Sequence, residues 1–407
     1  MGAAFQRFTQ VFFFTVLSAV ALGMCALRLR DPLPTAQEAP HLMAAANRAE
    51  TLHVAEWPTG LCAAPTLFHA VAGAGARFFG VERQTLSTSC YRLIPMLCAM
   101  LFILGLPALG RRRDNGWFEF ADGPLWSMAF AAVSLPIITA ATQFMPEAFW
   151  GALFLFLLIS ARAYARWPGY LPAIGVGAAA AMLLAVSAQS IWVLLVLLPA
   201  VLLGVGWSHL CLYWRPLHVG LTVAIAVGGW SLFSHFGWIG SITPPVLPNS
   251  LAGLWEAIAN RAYDACCGGL GVLAWMLLAL FGSFRRERRW TRFVTVAFPL
   301  LFTASLFAPG GGIFSSALAF LTPALAGMAL MLIPLSAVRA GLGAMIWGAL
   351  FLLLRYNWQK NLAYWPTREE AQAGVALLRN AQDAPYRKGY RVRVVTDSPG
   401  VCAQLVW

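Results

Sequence analysis

Apolar stretches long enough to cross a bilayer recur from the first residues to about residue 356, and they leave the backbone little choice. A hydrocarbon core offers no hydrogen bonds, so a spanning segment must satisfy its own N–H and C=O groups as a helix or within a closed barrel. The runs are continuous rather than alternating, which excludes the barrel. Candidate spans fall at about 9 to 27, 93 to 110, 124 to 142, 148 to 165, 171 to 188, 190 to 207, 217 to 235, 269 to 284, 293 to 308, 313 to 335 and 340 to 356. That makes about eleven, judged against the roughly 20 residues that a helical span needs. Only Gln189 separates the fifth from the sixth, so these two read either as a hairpin or as one long irregular pair. Composition agrees, because a chain 60% hydrophobic and 11% charged carries more apolar surface than water solvates. The fold class is an all-α polytopic membrane protein. Its first run follows Arg7, is longer than a signal core and has Met24 rather than a small residue before Cys25, so it reads as a retained anchor.

A formal charge of +12 would suit nucleic acid if the basic residues formed a patch. Instead Arg7, Arg111, Arg112, Arg113, Arg162, Arg166, Arg215, Arg285, Arg286, Arg288, Arg289, Arg292 and Arg339 fall in turns that this span count places on one side. By the positive-inside rule that side is cytoplasmic, and no nucleic-acid partner is expected. The other side holds the loop at 31–91, the turn at Pro146, the loop at 236–268 and the C-terminal tail. The spans form one module, 1–356, and 357–407 is a small extracytoplasmic appendage. In that tail Thr367 and Glu370 form a capping box, and 390–396 alternates like a strand, so it reads as α+β.

The first external loop is too long for a connector. Leu42, Ala46, Ala49 and Leu52 recur at helical spacing between Ala39 and Trp57, as do Leu67, Val71 and Phe78 between Pro65 and Phe79. Both segments read as helices lying in the membrane interface. Of sixteen acidic residues, Glu38 and Glu147 sit at the starts of helical segments close to the membrane, where a carboxylate serves either as a base or as a favourable charge at a helix N-terminus. The six histidines and eight cysteines show no metal-ligand spacing. There is no phosphate-binding glycine loop and no nucleophile elbow.

One span, a long loop with an acidic residue near its start and two interfacial helices, then a basic turn after the second span: this arrangement resembles the GT-C superfamily of membrane glycosyltransferases. Within it, the first loop is similar to the dolichyl-phosphate-glucose glucosyltransferase family, which reads Asp-Glu-x-x-His, a tryptophan, then Pro-Pro-Gly-Leu-Tyr. Here Gln37, Glu38 and His41 precede Trp57 and then Ala64, Pro65, Thr66, Leu67 and Phe68. The stretch from Tyr91 resembles the superfamily's Leu-Arg-Leu-Pro at the second span and places Arg92 at its arginine. The string ending Met145, Pro146, Glu147 is similar to the Arg-Pro-Asp or Arg-Pro-Glu that opens the fourth span. Gln37 departs from the acidic first member of the family pair, so either Glu38 alone supplies the carboxylate or catalysis has been lost.

The resemblance implies transfer of a sugar, with inversion, from a polyprenyl-phosphate-linked donor to a glycan, lipid or protein acceptor outside the cytoplasm. It also implies multi-pass residence in the inner membrane, with the site facing the periplasm or exterior. Glu38 is the expected base and Glu147 its support. Arg92 and Arg261 are candidates for the phosphate, and His41, Trp57 and His69 for further substrate contacts. The resemblance fixes no cofactor and leaves a divalent metal open at Glu147. The alternative is a non-enzymatic membrane protein, either a lipid or glycolipid transporter or a relative without catalysis; a polysaccharide ligase would carry a larger loop late in the chain.

Overall fold

The computed structural model describes residues 2–27, 38–48, 66–78, 88–110, 122–205, 215–237, 250–281, 288–308 and 312–362. Every element among them is helical. The helices are α1 (Gly2–Cys25), α2 (Ala39–Arg48), α3 (Leu67–Phe78), α4 (Thr88–Gly110), α5 (Asp122–Ala131), α6 (Leu135–Thr142), α7 (Glu147–Arg166) and α8 (Tyr170–Val186). They continue with α9 (Ser190–Val205), α10 (Pro216–His235), α11 (Leu251–Asn260), α12 (Leu270–Phe281), α13 (Arg288–Phe307), α14 (Gly312–Leu330) and α15 (Ser336–Leu362).

The candidate spans fall on helices, with 124 to 142 divided between α5 and α6, but the helices differ in reach. Five are long and apolar enough to cross a membrane, or up to seven if each of two bent pairs is one span. The chain is thus a multi-pass membrane protein. Several expected spans, α8 and α9 among them, are shorter apolar helices. The ambiguity at Gln189 resolves as two helices, because Ser187 turns to extended backbone (φ −150°, ψ 117°) and ends α8.

Both bends have local causes. Pro136 lies in the first turn of α6, where its missing N–H costs nothing but where the preceding helix cannot run through; α5 and α6 meet at 60°. The second bend corrects the reading of 236–268 as a plain loop. Ser250 caps α11 by accepting from the Gly253 N–H (3.0 Å), and α11 continues as a π-helical turn, Arg261–Ala265. Left-handed backbone at Cys267, Gly268 and Gly269 then swings the chain by 92° into α12. Cys267 Sγ and Ser134 Oγ lie 3.2 Å apart, tying one bend to the other.

The core is built around α14, most of whose residues from Phe314 to Leu330 are buried. Lipid tails give helices no hydrophobic reason to associate, so close approach between small residues and dispersion do the work. Gly151 of α7 faces the Phe320 ring of α14 so closely that a methyl group there would overlap it. By contrast, α10 has one buried residue, His218, and presents Leu217, Val223, Val227 and Leu232 outward. The helix α15 runs to Leu362, beyond the expected boundary at 356; the tail's capping box and strand lie outside the described residues.

Candidate functional site: a buried ion pair and a histidine chain at one corner

Four pieces of chain meet at one corner of the bundle: α2, α3, the start of α4, and the turn at 143–146 joining α6 to α7. The first-loop helices appear as α2 and α3, packed on each other, with α3 against α4. Pro40 sits in the first turn of α2, where proline is favoured, and the Glu38 carbonyl accepts the helix's first hydrogen bond from the Leu42 N–H (2.9 Å). The backbone therefore ends the loop at Glu38 and leaves its side chain at the helix entrance. The buried stripe of α3 is Leu67, Phe68, Ala72 and Ala76. Val71 and Phe78, expected on that stripe, are 40% and 86% exposed, so the face is rotated by about one residue.

Glu38 and Arg92 meet as a bidentate ion pair. The guanidinium donates through Nε to Glu38 Oε1 (2.8 Å) and through Nη2 to Glu38 Oε2 (2.9 Å), with the side chains 0% and 1% exposed respectively. The Phe144 N–H adds a third bond to Oε1 (2.8 Å). One carboxylate thus joins the first loop, the second expected span and the turn before α7. Around it Phe144 packs on Phe68 (ring centroids 4.8 Å) and Tyr91 (5.5 Å). Such a pair is strong only when both charges are satisfied, because removing either leaves the other stranded in a low-dielectric interior.

His41 is one helical turn from Glu38 and points to α3. Its Nδ1 lies 3.0 Å from His69 Nε2, and the rings are within 7° of parallel. The backbone N–H of Thr66 donates to His69 Nδ1 (3.1 Å), and Thr66 Oγ1 is 3.0 Å from the same atom. Thr66 is the N-cap of α3, its carbonyl accepting from the Ala70 N–H (3.2 Å). His69, at the third helical position, does what Glu or Gln does in a capping box. His69 is 1% exposed and both its ring nitrogens are used within the protein, so the expectation that it touches substrate does not fit its place. Burial pushes the His41 imidazole down to about 4, with the Glu38 charge opposing in part.

Glu147, the first residue of α7, follows three residues after Phe144. Its Oε2 is out of contact with solvent and has no hydrogen-bond partner among the described residues. Arg261 stands on the π-helical turn, which packs against α6; its Nε is likewise buried without a partner there. Trp57 and Gln37 lie outside the described residues. Among the described residues no three His, Cys, Asp or Glu side chains converge for a metal. His69 Nε2 must also keep its proton while Nδ1 accepts from Thr66, which leaves that nitrogen no lone pair to offer.

By sequence the chain matches no family profile and no curated protein. By structure it is similar to ArnT from Cupriavidus metallidurans, with a TM-score of 0.58 at 16% identity, over 83% of this chain and 62% of that one. It is also similar to the oligosaccharyltransferase AglB from Archaeoglobus fulgidus, in complex with an inhibitory peptide and a dolichol-phosphate, with a TM-score of 0.60 at 10% identity over 97% of this chain and 61% of that one. A structure of the same archaeal oligosaccharyltransferase with zinc and sulfate aligns with a TM-score of 0.56 at 12% identity, over 95% of this chain and 58% of that one. The chain thus spans about three fifths of the length of the solved structures it matches. At these identities the likeness speaks for the backbone: this chain shares the fold of ArnT and of the archaeal oligosaccharyltransferase, the GT-C fold expected from the sequence.

Proposed function

We propose that this chain is a glycosyltransferase that takes a sugar from a polyprenyl-phosphate carrier and passes it to an extracytoplasmic acceptor at the corner where α2, α3, α4 and the 143–146 turn meet. The observation that carries the reading is the Glu147 Oε2 at this corner of a GT-C fold, buried and without a hydrogen-bond partner among the described residues. The dolichol-phosphate held by the archaeal oligosaccharyltransferase supports the choice of donor. With the arginine-rich turns cytoplasmic, the corner lies at the outer face of the inner membrane.

In this reading the role of base passes from Glu38 to Glu147. Glu38 accepts three hydrogen bonds, two of them from a guanidinium, so its carboxylate oxygens are already engaged within the protein. Glu147 Oε2 instead takes the proton from the acceptor hydroxyl as its oxygen attacks the anomeric carbon. The bond from that carbon to the phosphate oxygen breaks, the electron pair leaves with the polyprenyl phosphate, and the anomeric configuration inverts. Arg92 is committed to Glu38, so Arg261 is the cation for the departing phosphate. Glu38 and Arg92 hold the first-loop helices against the bundle.

A second reading, a GT-C relative that binds the lipid without catalysis, is favoured by one observation: the Glu38 carboxylate is locked beside Gln37, where the resembled family is acidic. Purified protein in lipid nanodiscs, given a panel of polyprenyl-phosphate sugars and candidate glycan, lipid and peptide acceptors, separates the two. Release of polyprenyl phosphate with one sugar supports the transferase. Binding of the lipid with no release across the panel selects the non-catalytic relative.

A further inference from the structure

We propose that Thr66, His69 and His41 form a one-way hydrogen-bond chain that presents the His41 Nε2–H as a fixed, neutral donor to a phosphate oxygen of the lipid carrier. This rests on the polyprenyl-phosphate reading above and assigns the contact that holds the headgroup.

The direction of the chain follows from its first link. A backbone N–H can only donate, so His69 Nδ1, 3.1 Å from the Thr66 nitrogen, must accept. Neutral imidazole carries one proton, and with Nδ1 accepting, that proton is on Nε2. His69 Nε2 therefore donates across the 3.0 Å gap to His41 Nδ1. His41 Nδ1 is then an acceptor too, and its single proton is forced onto Nε2. Each link polarises the next in the same sense, which strengthens the terminal donor.

Position distinguishes the two histidines. His69 is buried with both nitrogens engaged, whereas His41 keeps partial exposure, so only His41 can meet a ligand. The chain cannot shuttle a proton, because its far end is an amide. What it does is fix polarity: the tip of His41 donates and never accepts. Sugar hydroxyls both give and take hydrogen bonds, whereas the oxygens of an ionised phosphate only accept. A donor-only group beside a charge-neutralised ion pair thus suits the phosphate. It lies on α2, an amphipathic helix at the end of the bundle, where the headgroup of a membrane-embedded carrier would sit.

The test uses full-length protein in nanodiscs, labelled with nitrogen-15 at histidine, and undecaprenyl phosphate as the probe. Nitrogen shifts at neutral pH should show both imidazoles as the Nε2–H tautomer, and adding the lipid should move the His41 Nε2–H signal and leave His69 in place. His69→Phe and His41→Phe should each weaken lipid binding about tenfold, the scale of one hydrogen bond to a charged group. His41→Gln, whose amide nitrogen reaches about where Nε2 stands, should recover most of the loss. Gly341→Ala, at a position of α15 with nothing within 4 Å, should leave the tautomers and lipid binding unchanged and serves as the folded control. An Nδ1–H tautomer at either histidine overturns the chain. Lipid binding by the wild type without a change at His41, or with His41→Gln as weak as His41→Phe, overturns the phosphate contact and leaves the proposed function standing. Failure of the wild type to bind undecaprenyl phosphate at all overturns the proposed function and this contact together, while the tautomers still report on the chain.

Discussion

Glu38 and Glu147 stand at the two sides of one corner and have opposite environments. Glu38 has its charge met by a bidentate guanidinium and a backbone N–H; Glu147 has a buried oxygen with no partner among the described residues. In sequence both are acidic residues at the entrance to a helix. A satisfied buried charge holds elements together, whereas a buried polar atom without a partner calls for an explanation, such as a ligand, a water or a reaction. Under the proposed function, the difference separates the residue that builds the corner from the one proposed to act in it.

The sharpest way to break this contrast is to strand one member of the pair. Arg92→Leu leaves Glu38 buried without its cation and should destabilise the protein by about 3–5 kcal/mol, measured as a fall in the thermal unfolding midpoint in detergent. Replacing both residues, Glu38→Leu with Arg92→Leu, should recover most of that loss. A single variant as stable as the wild type would mean that the pair holds nothing.

A second, smaller effect tests the framework behind the corner. Gly151→Val puts a branched side chain against the Phe320 ring and should cost about 1–3 kcal/mol through overpacking between α7 and α14, read by the same unfolding assay. Gly341→Val, at a position of α15 with nothing within 4 Å, should change stability far less. Equal effects at the two glycines would contradict the assignment of α14 as the packing centre.

The smallest expected effect is a dependence on pH. His41 is neutral in the folded protein down to about 4 and titrates near 6.5 when unfolded. Between those values the unfolded chain binds more protons, so stability is fully present above 6.5 and is lost as pH falls toward 4. For a partly exposed imidazole the loss should be about 1–2 kcal/mol. The melting temperature of the wild type should fall across that window more than that of His41→Gln, and parallel curves would remove His41 as the titrating group.

Much of this was legible in the sequence, for reasons that also explain what was not. Hydrophobic run length is a direct consequence of bilayer thickness, so the expected runs fall on helices, but only five of these, or up to seven with the bent pairs, are long and apolar enough to cross; the bends at Pro136 and at Gly268 and Gly269 alter where a span ends without altering the runs themselves. The corner was visible as separate signals at Glu38, His41, Arg92 and Glu147. Their pairing was not, because Glu38 and Arg92 are distant in sequence and meet only through packing of the first-loop helices. His69 was visible as a histidine but not as a cap, since a capping box is sought as Glu or Gln three residues after Thr. The helix at 251–260 carries its own signal in Ser250 and was hidden by the proline-rich stretch before it.

The division of labour between the two carboxylates is tested most directly by single-turnover release of polyprenyl phosphate, measured side by side for two variants with the sugar donor that the wild type uses. Glu147→Gln should bind the lipid normally and release it about two to four orders of magnitude more slowly, the usual worth of a positioned base. Glu38→Gln combined with Arg92→Gln, which keeps a neutral hydrogen-bonded pair in the same place, should stay within about tenfold of the wild type. Near-normal release by Glu147→Gln, with release abolished in the folded double variant, would return the chemistry to Glu38 and contradict this account.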